Sequence, residues 1–175
     1  MPNEPTLIIR NPENDESLQD YITSFGIEHF GARELLRLRK AGITAPEPPR
    51  SLWPRIIPTL QLSELLRASL GHPLVVGNAY RPPHLNAQVG GAKNSQHIHF
   101  SAMDIDLPSA HKSREERDAL YREAGLLFLR YGDALEMGFG LYARTRGTRI
   151  HIDTGSRKRY WKREYVEELL ETLES

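Results

Sequence analysis

Leucine and isoleucine recur at helical intervals through the first part of the chain, and the rhythm changes after Pro73. Residues 17–24 suit a short helix, and residues 31–41 a better one, because Leu35, Leu36 and Leu38 fall near helical spacing and Gly42 supplies a stop. Residues 45–50 hold three prolines and read as a turn or linker. The pattern over 56–70 predicts a strong amphipathic helix, with Ile57, Leu60, Leu62, Leu65, Leu66 and Leu70 on one broad face. Pro58 is expected in its first turn, where a missing N–H costs little.

Beyond Pro73 the spacing shortens. Leu74, Val75 and Val76 predict a strand, and residues 80–95, rich in Pro, Gly and Asn, a long loop. Residues 102–107 alternate Met103, Ile105 and Leu107 against Asp104 and Asp106, as a half-buried strand does. A helix is predicted over 113–131, with Ala119, Leu120, Ala124, Leu127 and Phe128 on one face. Residues 137–142 and 149–153 predict two more strands, joined by a charged Thr-Arg-Gly turn, and residues 165–173 a closing helix. Leu7, Ile8 and Ile9, inside a loose segment 1–16, suit a short strand. Helices first, then strands interleaved with one helix, indicate an α+β fold: a small antiparallel sheet with flanking helices. Residues 1–50 are expected to form a helical extension packed on a domain of residues 51–175.

Composition narrows the chemistry. The 175 residues suit a domain with a real core. Lys plus Arg, at 23, balances Asp plus Glu, at 23, so no global field points to nucleic acid or membrane. The absence of cysteine excludes disulfides, thiolate metal sites and a cysteine nucleophile, so a metal would have to be held by His, Asp or Glu. No apolar stretch approaches the length of a membrane span, and residues 1–15 are polar rather than leader-like. The expectation is a monomer made in the cytoplasm without a signal peptide.

Two segments carry candidate chemistry. Asp104 and Asp106 share one face of a strand whose other residues are apolar, a costly arrangement unless something positive, such as a metal, sits there. In the run 149–153, Ile150 and Ile152 point to the core and Arg149, His151 and Asp153 share the other face. Ligands of His and Asp type, three in number, leave one zinc position open to water, the catalytic arrangement. The residues alone leave plainer readings open. His151 suits a satisfied polar residue, Asp153 before Thr154-Gly155 a turn start, and Asp106 before Leu107-Pro108 the same.

Longer motifs change the balance. Tyr80-Arg81, Asn86, Val89-Gly90-Gly91-Ala92, Asn94-Ser95-Gln96-His97 and Ala102-Met103-Asp104-Ile105 follow one another, and Gly138-Phe139-Gly140-Leu141-Tyr142, His151-Ile152-Asp153-Thr154-Gly155 and Trp161 come later. Together they resemble the M15 zinc peptidases, which include D-Ala-D-Ala carboxypeptidases and dipeptidases, phage endolysins and murein endopeptidases and share the fold of the Hedgehog signalling domain. The likeness covers about residues 53–161, with a weaker echo in Ala32-Arg33-Glu34-Leu35. Ser95, His97, Ala102 and Asp104 fall on the family pattern Ser-x-His-x-x-Gly-x-Ala-x-Asp.

The resemblance implies that His97, Asp104 and His151 bind one zinc ion. It places Arg81 over the scissile carbonyl, where a fixed guanidinium would steady the oxyanion, and gives Ser95 a hydrogen bond to substrate. Plainer roles are a surface arginine and a turn cap. Phe100 stands where the family has glycine, so the loop is expected to differ or to narrow the pocket. Thr148 and Arg149 stand where many members carry the general base, and neither can serve. Asp153 is then the best placed acid, either activating water or orienting a zinc ligand, with Glu136 a second candidate. His99 is an extra imidazole, a substrate contact or a solvated loop residue. The basic residues Arg157, Lys158, Arg159, Lys162 and Arg163 suit a contact with anionic wall polymer or a solvated helix start.

The implied function is a zinc metallopeptidase cutting D-amino-acid-containing bonds of peptidoglycan, as a DD-carboxypeptidase or an endopeptidase of endolysin type. It would reach the wall after release or export by another route. The implied partner is a peptidoglycan peptide, with no nucleic acid and no membrane insertion. Two rivals keep the fold: an inactive zinc-containing module that binds wall or protein, and a phage structural component. An acid within about one water of the zinc would favour the enzyme, and a pocket plugged by Phe100 the binding module.

Overall fold

A computed structural model describes residues 17–39, 41–142, 147–161 and 163–174. The strand suggested at residues 7–9 lies outside the described residues, as does most of the Thr-Arg-Gly turn. The α+β architecture expected from the pattern is the one the chain adopts.

The first helix, α1 (Leu18–Thr23), starts where Ser17 Oγ accepts a hydrogen bond from Asp20 N, and it buries Leu18, Tyr21 and Ile22. Tyr21 meets Trp53 at 5.7 Å between ring centroids. The helix expected over 31–41 is only a single turn, α2 (Ala32–Leu35). The chain then extends as β1 (Arg37–Leu38) and folds back antiparallel as β2 (Ile43–Thr44). The reason is a local pattern of period two. Leu36 and Leu38 are buried while Arg37 and Arg39 are exposed, and Gly42 takes φ +69° in the turn.

Helix α3 (Trp53–Leu70) begins earlier than the leucine pattern suggests, because Pro54 occupies the first turn. Pro58 therefore lies inside the helix, not in its first turn. The buried face is built from Trp53, Ile56, Ile57, Leu60, Leu62 and Leu66, and Leu65 points to solvent at 46% exposure. The long loop expected over 80–95 contains a short helix, α4 (Pro83–Gln88), which Pro82 and Pro83 start and which buries Leu85 and Asn86.

The main sheet runs β3 (Val75–Asn78), β4 (Ala102–Asp106), β6 (Arg149–Asp153), β5 (Gly138–Leu141) and β7 (Arg159–Trp161), in that spatial order. Its first four strands pair antiparallel, and β7 adds to β5 in parallel. The pattern did not mark β7, which has three half-buried residues and no apolar alternation. Helix α5 (Arg114–Tyr131) opens with a capping box between Ser113 and Glu116, and α6 (Arg163–Glu174) closes the chain.

The register sorts the side chains. Met103 and Phe139 pair with Ile152, and Ile105 and Leu141 with Ile150, so one face is apolar. It packs under the helices, where Phe128 of α5 stacks on Phe139 at 5.5 Å. The other face carries a row across all five strands: Asn78, Asp104, His151, Gly140 and Trp161 are successive cross-strand partners. The next row is Ala102, Asp153, Gly138 and Arg159.

Glu34 ties α2 to the sheet, its Oε1 accepting from Val76 N at 3.3 Å. Burial raises its pKa above the ordinary glutamate value, against the lowering effects of that hydrogen bond and of Arg39 and Arg67. A raised carboxyl pKa means the folded state holds a proton that the unfolded chain releases. This contribution to stability is present below the unfolded value, about pH 4.3, and is lost as pH climbs through the folded value. Glu34→Gln keeps the acceptor and removes the charge. It is expected to raise Tm at pH 7 by about 1–2 °C and to leave Tm unchanged at pH 4. Equal melting temperatures at pH 7, by calorimetry, contradict this.

Candidate metal centre

The polar row converges on three side chains. His97 comes from a tight loop, where Arg81 N donates to His97 O at 3.0 Å and Ile98 N to Ser95 O at 3.0 Å. Its Nδ1 lies 2.8 Å from Ala79 O, and Nε2 lies 3.5 Å from Asp104 Oδ1. A carbonyl can only accept, so Nδ1 donates to it and Nε2 is turned inward toward Asp104. His151 places Nδ1 2.9 Å from the same Asp104 oxygen and Nε2 3.1 Å from Asp153 Oδ2. The two imidazoles lie nearly perpendicular, 5.0 Å apart. One ligand atom from each of His97, Asp104 and His151 lies within 4.8 Å of the others, and all three residues are buried.

The electrostatics suit a cation. Burial opposes ionisation of Asp104, but the charges and hydrogen bonds of His97 and His151 hold its carboxyl well below the usual range. Burial likewise opposes charge on His151, and its hydrogen bonds to Asp104 and Asp153 outweigh that and raise its pKa. A centre that draws a proton between an imidazole and a carboxylate offers the same place to a metal ion, and two imidazoles with one carboxylate form a suitable donor set for zinc.

Asp153 lies behind His151, on the ring nitrogen away from Asp104. It is fully buried, and Oδ2 also accepts from Arg159 Nη2 at 2.7 Å. Gly138 makes room for it, since a Cβ there would come within 2.2 Å of that oxygen. Gly140 does the same for Trp161, which meets the His151 ring at 4.7 Å. Asp153→Asn keeps the shape and weakens the hold on the ring. It is expected to lower metal affinity about 10–100-fold, measured by competition with a chelating dye. Unchanged affinity would mean that Asp153 does not orient His151.

Arg81 and Ser95 stand beside the centre. Arg81 Nη2 donates to Ser95 Oγ at 3.3 Å. Burial lowers the pKa of the guanidinium, while the nearby Asp104 and Tyr142 act the other way. A side chain at Gly91 would crowd Asn86 Oδ1 at 2.1 Å and Arg81 Nη2 at 3.1 Å. Tyr142, just past β5, belongs to the site as well. Burial, with the nearby charge of Asp104, pushes its pKa up to about 12. The sequence places Tyr142 at a strand end and in the family-like run 138–142 and gives it no role of its own. The usable signal was the alternation of Phe139 and Leu141 against Gly138, Gly140 and Tyr142.

Several expectations need correction. Asp106 is not among the three converging residues, and the positive groups beside it are side chains. Thr148 Oγ1 and Leu107 N donate to it, and Arg149 Nη2 lies at 3.4 Å and Lys112 Nζ at 3.8 Å. Glu136 is exposed and lines a shallow cavity of about 220 Å³ with Arg55, Ser101 and Thr154, in which none of the three converging residues takes part. Phe100 adopts φ +52°, a backbone shape that glycine favours, so the loop keeps it at a steric cost. Its ring is fully buried in the hydrophobic core, 5.6 Å from Tyr80. The basic group is divided: Lys158 pairs with Asp133 at 2.7 Å and Arg159 turns in to Asp153. The side chains of Lys162 and Arg163 lie outside the described residues.

Two buried imidazoles and a carboxylate converge on the polar face of the sheet as a candidate metal centre. The Peptidase M15 family model matches residues 28–133, over half of the chain, and the chain belongs to that family. Its members are zinc peptidases, which places the chain among hydrolases that act on peptides. The match takes in Arg81, Ser95, His97 and Asp104 and ends before His151. No curated protein matches the chain. Among the described residues, no helix is long and apolar enough to cross a membrane.

Proposed function

We propose that this M15 chain is a zinc metallopeptidase that hydrolyses D-amino-acid-containing peptide bonds of peptidoglycan, as a DD-carboxypeptidase or an endopeptidase. The carrying observation is the buried convergence of His97, Asp104 and His151 with Arg81 and Tyr142 at its edge. His97 through Nε2, His151 through Nδ1 and Asp104 would hold the ion. Zinc held there supplies a Lewis acid for the peptide carbonyl and a bound water acidified toward neutral pH.

The chain's own residues do the rest. Arg81 binds the carbonyl oxygen as negative charge develops. Its guanidinium is already half-buried and anchored by Ser95, so little reorganisation is needed. Ser95 Oγ offers a hydrogen bond to the substrate. Tyr142 keeps its proton on Oη at neutral pH and donates it into the site. Asp153 is a positioning residue that holds the His151 ring, because it faces Nε2 and is closed off from solvent.

The test is digestion of purified peptidoglycan by the zinc-loaded full chain, with mass spectrometry of the released peptides. Fragments ending at one defined D-residue are expected, and an all-L peptide of the same length should stay intact. A protein that holds zinc and releases nothing would sink the hydrolytic reading and leave wall binding.

A further inference from the structure

A second group of ligating side chains lies outside this centre. His72 follows Gly71, the left-handed residue at φ +70° that ends α3. His111 ends the 3-10 turn Ser109–His111 after β4, and Glu116 lies in the first turn of α5. Each offers one ligand atom, and these atoms lie within 4.8 Å of one another. The imidazoles stack at 4.3 Å with planes 9° apart.

The partners of each group are already arranged. His72 Nδ1 lies 3.0 Å from Pro73 O, which can only accept, so that nitrogen carries the proton and Nε2 keeps its lone pair. His111 Nδ1 lies 2.6 Å from Glu116 Oε1. This is the pairing that His151 and Asp104 show in the buried centre. The capping box fixes Glu116 from below: Ser113 N donates to Oε2 at 3.3 Å, and Glu116 N to Ser113 Oγ at 3.1 Å.

We propose that His72, His111 and Glu116 form a second, solvent-accessible site for a borderline divalent cation such as zinc, which fastens the end of α3 to the start of α5. The donor set of imidazole nitrogen and carboxylate oxygen suits zinc, nickel or copper rather than magnesium or calcium. All three residues are half-exposed, so water fills the remaining positions. His72 comes from a segment far in sequence from the one that holds His111 and Glu116. Only the folded chain assembles the site, and binding therefore stabilises the fold.

The experiment uses the full chain, stripped with chelator and dialysed against zinc chloride, with bound zinc counted per chain. His72→Ala and His111→Ala are each expected to hold one zinc fewer than the wild type, and to lose part of the zinc-dependent rise in Tm. His151→Ala should keep the zinc that these two lose, which separates this site from the buried one. Near-UV circular dichroism establishes that each variant is folded, with His72→Gln as the conservative replacement. If both alanine variants hold as much zinc as the wild type, or the wild type holds none, the proposal is wrong.

Discussion

His151→Ala is expected to lower peptide hydrolysis at least about a thousandfold and to remove the zinc of the buried centre. Lewis-acid polarisation by a bound metal supplies several kcal/mol of transition-state stabilisation, and each 1.36 kcal/mol is a factor of ten. The side chain is also the hub of the polar row: it joins Asp104 on one nitrogen to Asp153 on the other. Alanine leaves Asp153 with Arg159 as its remaining side-chain partner and opens a gap under Trp161. Some loss of Tm should accompany the loss of activity. His97→Ala removes a ligand from a loop rather than from the sheet, so it tests the metal with less damage to the strands. Zinc content, Tm and peptide release measured together on both variants decide the matter. Activity within tenfold of wild type in both variants would exclude the triad as the catalytic metal site.

Arg81→Ala is expected to lower kcat by about 10²–10³-fold, the usual cost of removing a fixed oxyanion donor, and to leave zinc in place. The guanidinium is a positive neighbour of Asp104, so its removal cannot weaken a cation site by electrostatics. Arg81→Lys should recover little, because an ammonium lacks the planar fork that also reaches Ser95. The combination of intact metal and lost turnover separates a substrate-facing donor from a structural one. A variant that loses zinc and activity together would place Arg81 among the groups that shape the centre instead.

The elements most legible in the sequence are those whose pattern is strong and local. The alternation through residues 102–107 and 149–153 marks β4 and β6, and Ser113 with Glu116 marks the start of α5. Misreadings fall where two patterns compete. Leu35, Leu36 and Leu38 fit a helix as well as a hairpin, and the turn at Gly42 decides for the hairpin. Pro58 suits a first turn until Pro54 takes that place. Strand β7 has too few residues to show any period.

The same division runs through the site. The residue types able to bind a metal can be read along the chain, and so can the placing of Asp104 and His151 on polar faces of their strands, because side-chain alternation is a property of a single strand. The sequence carries the family motif through Ser95, His97 and Asp104 as well. Which polar side chains meet depends on how the strands pair. Strand register brought Asn78, Asp104, His151, Gly140 and Trp161 into one row, gave Asp106 to Arg149 instead of to a metal, and put Asp153 behind His151. Register is a relation between strands far apart in the chain, and a slip of one residue would turn His151 into the core. No local pattern contains that choice; it is made when the apolar faces of β4, β5 and β6 are buried together.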